Sequence, residues 1–226
     1  DMLIDCANYN NSSDYRTETL DYIEDYVPDG QLDYLMLTHC DSDHVYFMDE
    51  VLEEYRVENI FMPNVLATHD KVAEADLPED ALARFTDEDT VSTACYADFF
   101  IAALTEPDCT VYLNVDPDED TNSIVITDDG VQDPESPDED ATYRLTFYCP
   151  TAEYYADSDL SSAEEKNAIS PIGILEYNGF RLVLTGDSNE INEPVFVRRV
   201  GGSLDCDVLK VGHHGSETSS TDAFLG

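Results

Sequence analysis

The sequence predicts an α/β layered fold. Two observations carry that expectation. Short apolar runs alternate with amphipathic ones along the first sixty residues, in the order strand, helix, strand, helix, strand. Later, two apolar runs flank Asn178-Gly179, a dipeptide suited to a two-residue β-hairpin.

The elements follow in order. "MLIDC" (2–6) reads as a buried strand ending in the turn "ANYNNSSD". "YRTETLDYIEDYV" (15–27) places Leu20, Ile23 and Val27 at helical spacing and stops at Pro28-Asp29-Gly30. "LDYLMLTH" (32–39) is a strand. "FMDEVLEEYRV" (47–57) is a helix with Val51, Leu52 and Tyr55 on one side, and "NIFMP" (59–63) is a strand stopped by proline. Residues 67–104 look mostly helical, and 109–127 hold two strand-like runs. Residues 128–140 contain seven acids and two prolines, and read as an exposed loop; they lack the spacing of a calcium-binding loop. "TYRLTFYCP" (142–150), "AISPIGILEY" (168–177), "GFRLVLTGD" (179–187) and "CDVLKVGHH" (206–214) are strand signals. A helix is expected within 186–200 and another begins at "SSTDAFLG".

Composition bounds the function. The chain has 226 residues, with 51 Asp plus Glu against 10 Lys plus Arg, a formal charge of −41. Hydrophobic content of 42% argues for a folded chain despite that charge. A protein adapted to high salt fits these numbers, since the Debye length falls to roughly 3 Å at about 1 M and self-repulsion is screened. An acidic protein of ordinary salt is the alternative. No apolar run approaches the roughly 20 residues of a membrane helix. The chain opens inside a strand-like run, so an upstream segment is expected to have been removed or left out. The compartment stays open between an export route and the cytoplasm of a salt-accumulating cell. The six cysteines form no CxxC pair.

Histidine escapes the acidic bias. Only five occur, and four fall in two clusters, His39 with His44 and His213 with His214. "THCDSDH" (38–44) enters a loop from a strand end. Read as extended, it puts His39, Asp41 and Asp43 on one face, and a following turn lets His44 join them. Cys40 then points away and packs. Imidazole with carboxylate suits Zn, Mn or Fe, and a larger share of oxygen shifts preference towards Mn. Asp187 and the pair His213 and His214 close two further strand-like runs. Sites in layered α/β folds gather at loops on one edge of the sheet. His69, on a helix-like stretch, is expected at the surface.

"THCDSDH", "GFRLVLTGD" and "LKVGHHGSETSS", in this order, resemble the metallo-β-lactamase fold superfamily, and within it the metallo-β-lactamase domain of ComEC-type DNA-uptake proteins. "MLIDC" and "NAIS" (167–170) extend the likeness, which covers roughly 1–63 and 142–221. It implies one domain over 1–226, a four-layer αββα sandwich with an acidic, divergent or inserted middle (64–141) and truncated ends. It also implies two divalent metal ions, Zn or Mn. His39 and Asp41 would serve the first metal, Asp43 and His44 the second. Asp187 would bridge them, and His213 or His214 would complete the second site, with His213 the first choice. Many members have His where this chain has Asp41, another His between the motifs, and glycines where "VYF" (45–47) stands. The first site is therefore expected to be weak, filled by Mn, or empty.

The implied activity is metal-dependent hydrolysis by an activated water, of a phosphodiester or nuclease type, with Asp43 and Asp187 at the chemistry. Asn167, Ser170 and Ser216 are candidate substrate contacts. Nucleic acid is implied by the ComEC likeness but disfavoured by the scarcity of Lys and Arg. A lactone or other small ester is the alternative substrate. A non-catalytic module with a decayed metal site is the alternative class.

Overall fold

The computed structural model describes residues 1–7, 13–85, 89–114, 123–150, 160–201 and 205–226. Part of the turn expected over 7–14 lies outside them. The chain divides into two units, Asp1–Leu113 and Asn114–Gly226.

The first unit is built on a parallel sheet. Strands β1 (Met2–Ile4), β2 (Gln31–Met36), β3 (Arg56–Met62) and β6 (Thr110–Leu113) lie in the order β1-β2-β3-β6. β1 pairs with β2 in the register Met2↔Tyr34 to Ile4↔Met36, so both strands finish at the same edge. Parallel strands buried on both faces read as continuous apolar runs, as "LMLT" and "NIFMP" do. Leu35, Met36, Leu37, Ile60, Phe61 and Met62 are fully buried.

Helix α1 (Ser13–Tyr26) connects β1 to β2 and turns Ile23 inward, with Val27 buried just beyond its end. Helix α2 (Ser42–Val45) is one turn long, and α3 (Met48–Glu54) follows it. The helix expected over 47–57 stops short. Tyr55 is extended, and Arg56 and Val57 begin β3. Val57 suits either period, and pairing with Leu32 on β2 decides for the strand.

The expected helical stretch 67–104 is broken. Two-residue strands β4 (Leu66–Ala67) and β5 (Thr90–Val91) pair with each other. Short helices α4 (Asp70–Glu74) and α5 (Glu79–Leu82) stand between them, and α6 (Ala94–Thr105) ends the stretch. α6 buries Tyr96, Ala97, Phe99, Phe100, Ala103 and Leu104 and packs on α2, α3 and α4. The Tyr96 hydroxyl donates to the Val65 carbonyl at 2.7 Å, so its burial leaves no polar debt.

The second unit holds a sheet of order β12-β11-β10-β9-β7-β8. Its strands are β7 (Ser123–Thr127), β8 (Gly130–Gln132), β9 (Tyr143–Tyr148), β10 (Ile172–Tyr177), β11 (Phe180–Leu184) and β12 (Val208–Leu209). β10 and β11 form the expected hairpin, Tyr177 opposite Phe180. Asn178 and Gly179 turn it with φ of 50° and 79°, the left-handed pair this turn requires. β8 is a short strand inside the acidic segment expected as loop. Residues 64–141 thus supply α6 and β6 to one unit and β7 and β8 to the other.

Helix α7 (Ala163–Asn167) opens on a capping box between Ser162 and Glu165. Helix α8 (Glu193–Val200) carries Phe196 into a core with Ile172, Ile174, Val183 and Phe224, the last from α9 (Asp222–Leu225). Among the described residues, no helix is long and apolar enough to cross a membrane.

Candidate metal centre

The first unit gathers imidazole and carboxylate where β1 and β2 end. Beyond β2, Thr38 and His39 are buried, with 2% and 0% exposure. The motif does not stay extended. The Asp41 carbonyl accepts from the His44 and Val45 amides at 3.0 and 3.2 Å, starting the helical turn α2. Asp43 and His44 therefore sit on a helical turn, not on an extended face. They present ligand atoms within 4.8 Å of each other. The His39 and His44 rings lie 4.2 Å apart between centroids. Asp41 is half-buried, Asp43 exposed, and Cys40 buried.

Asp5 holds this turn, and sequence reasoning missed it. Its backbone is left-handed, at φ 56°. One carboxylate oxygen accepts from the Thr38 amide at 2.8 Å. The other accepts from the Thr38 hydroxyl at 2.8 Å and lies 2.7 Å from His44 Nδ1. The Cys6 amide donates to the His44 carbonyl at 2.8 Å, and the Phe47 amide to the Cys6 carbonyl at 2.8 Å. Such a carboxylate fixes the tautomer and leaves Nε2 for a metal. The available signal was the parallel register, which brings the end of β1 beside the motif.

The second unit gathers the same chemistry. β11 and β12 are parallel neighbours, so Asp187 and His213 leave the sheet at one edge. Asp187 is 2% exposed, and its Oδ2 lies 3.3 Å from His214 Nε2 and 3.9 Å from His213 Nε2. Its amide donates to Ser170 Oγ at 3.1 Å. Ser170 is buried and, through its carbonyl, accepts from Asn192 Nδ2 at 3.0 Å. Ser170 thus supports Asp187. Asn167, at the end of α7, is buried with Nδ2 3.3 Å from His213 Nε2. Ser216 Oγ lies 3.1 Å from Thr218 Oγ1, which is 3.5 Å from His213 Nδ1. His69 stands outside both clusters, and its Nδ1 accepts from the Lys71 amide at 3.3 Å as the cap of α4.

These donors fit a divalent cation. Each unit offers imidazoles beside carboxylate, the donor chemistry of such an ion.

No protein-family model matches the chain. Over 47 residues, 21% of its length, the chain is 47% identical to competence protein ComA of Neisseria gonorrhoeae, and the match spans 7% of that protein. A solved structure, the metallo-β-lactamase fold protein YhfI from Bacillus subtilis, aligns with a TM-score of 0.39 at 13% identity. That alignment covers 92% of this chain and 57% of YhfI.

Proposed function

We propose that the chain is a metal-dependent hydrolase of the metallo-β-lactamase type, acting on phosphodiesters. One observation carries the reading most: Asp187, buried, with the imidazoles of His213 and His214 at 3.9 and 3.3 Å. That combination at a strand end is metal-ligand chemistry, and the chain offers no P-loop or GxSxG alternative. In this reading His39, Asp41, Asp43 and His44 supply ligands from the first motif, and Asp187 with His213 or His214 from the later ones. The shorter approach to Asp187 favours His214. A bound pair of divalent ions would generate hydroxide near neutral pH and stabilise the leaving oxygen. In this reading Asp43, which is exposed, would orient the attacking water or take its proton.

The ComEC-like motif and the short stretch shared with a competence protein favour nucleic acid as the substrate. The formal charge of −41 works against it, and a small phosphodiester meets that objection. The deciding assay offers single-stranded DNA, bis-nitrophenyl phosphate and a lactone, with Mn or Zn, at low and high salt. Hydrolysis of the phosphodiesters is expected. Activity confined to the lactone would replace the substrate class, and protein that binds neither metal would leave a non-catalytic module.

A further inference from the structure

Three consecutive residues of the histidine turn, His213, His214 and Gly215, have φ of 44°, 54° and 79°. A left-handed backbone is costly for the two histidines, and it persists only where the surroundings over-determine it. The surroundings centre on Glu193, the first residue of α8. Its side chain is fully buried, at 0% exposure. Its Oε1 accepts from the Ser220 amide at 2.6 Å. Its Oε2 accepts from the Thr221 amide at 2.9 Å and the Thr221 hydroxyl at 2.8 Å.

The connection runs onward to the imidazoles. Ser220 Oγ accepts from the Gly212 amide at 3.4 Å, and Ser219 Oγ donates to the Gly212 carbonyl at 2.7 Å. Gly212 immediately precedes His213. The Thr218 carbonyl accepts from the Glu190 amide at 2.9 Å, so the loop is tied at a second point to the residues that lead into α8.

We propose that Glu193 is a positioning residue, whose buried carboxylate clamps the 216–221 return of the loop and so holds His213 and His214 in their left-handed turn beside Asp187. This rests on the metal-binding reading above. A carboxylate is required because all three partners donate. In Glu193→Gln, one oxygen becomes an NH2 group facing a donor.

The test uses cobalt(II) as the probe ion, with titrated affinity and the ligand-field absorption as readouts, on wild type, Glu193→Gln and Thr221→Val. Supporting interactions of this kind are typically worth about 10–100-fold in metal affinity. Glu193→Gln is expected to weaken cobalt(II) binding by about 10-fold or more and to change the absorption, with far-ultraviolet circular dichroism unchanged. Thr221→Val removes one of the three bonds and is expected to fall between. Wild-type affinity and spectrum in a folded Glu193→Gln overturn the inference. If that variant does not fold, an unchanged Thr221→Val overturns it. Wild-type protein that binds no cobalt(II) instead removes the metal reading, and this inference with it.

Discussion

The Asp5 carboxylate lies 2.7 Å from Nδ1 of His44 while also accepting the amide and hydroxyl of Thr38 at 2.8 Å each. Backbone position and imidazole tautomer are thus set by one side chain. Asp5→Asn keeps an acceptor for Thr38 but turns an NH2 group or a weaker acceptor to His44. Metal affinity is expected to fall by about 10–100-fold, read by titration with Zn or Mn. Asp5→Ala leaves the buried Thr38 donors unmet and is expected to cost about 1–3 kcal/mol of stability as well. Equal affinity in Asp5→Asn and wild type would show that His44 is not held for a metal.

Gly173 occupies the centre of the second unit's sheet opposite Phe147. A Cβ there would lie 2.6 Å from Phe147 Cε1 and 2.9 Å from Cδ1. Phe147 is 1% exposed and has little room to retreat. Gly173→Ala is expected to destabilise by about 1–3 kcal/mol, the usual cost of overpacking. Urea unfolding checks this, and an unchanged midpoint would mean that the ring moves freely.

What was legible in the sequence depended on rarity and period. His39, His44, His213 and His214 stood out because histidine is scarce, and their strands stood out because buried strands are apolar. Asp5 and Glu193 did not stand out, being two acids among 51. Their importance lies in what the register and the loop return bring to them. The extended reading of 38–44 departs from the structure from Ser42 onward, because the Asp41 carbonyl starts a helical turn that takes in Asp43, which alternation of side chains does not reveal. The helix end at Glu54 was hidden because Val57 fits both periods and its β2 partner decides.

Asp49 on α3 has its carboxyl pushed up to about 8, chiefly by burial, then by a hydrogen bond to Glu50 and the Glu50 charge; Asp98 adds a smaller push. The fold therefore binds a proton that the unfolded chain, at an ordinary value near 3.8, has released. Between those values the native state carries more protons, so this group's contribution to stability falls as pH rises. It is fully present below about 4 and lost through about 8. Lys71, Arg16 and Glu50 share the neighbourhood and do not reverse the sign. Asp49→Asn is expected to flatten the decline in urea midpoint between pH 5 and pH 8 at fixed salt. An identical slope in both proteins would assign the decline elsewhere.

Burial pushes the Cys6 and Cys149 thiols up to about 12, with Glu50 and Asp5 adding to the effect at Cys6. The thiolate is the reactive form, so both should be inert in the fold. Iodoacetamide at pH 8 followed by mass spectrometry is expected to leave both unmodified in native protein and to label both in urea. Rapid native labelling of either would contradict its burial.

Gly212 is the last residue before the histidine turn, and a Cβ there would meet the Ser188 carbonyl oxygen at 2.6 Å. That atom is backbone, one residue beyond Asp187, so it cannot swing aside as a flexible side chain would. Ser219 Cβ at 3.2 Å closes the other direction. Gly212→Ala must then push the 212–215 turn away from the strand end that carries Asp187. The 3.3 Å approach of His214 Nε2 to Asp187 Oδ2 is the distance most exposed to that shift. Metal affinity is therefore expected to drop more than global stability does. Gly173→Ala provides the contrast, since its Cβ would strain the packing of Phe147 rather than the histidine turn, and it should lower stability while leaving metal affinity near that of wild type. Titration and urea unfolding on both variants check the pairing. A Gly212→Ala protein that loses stability but keeps its metal affinity would show that the turn tolerates displacement, and that His213 and His214 need no such exact seat.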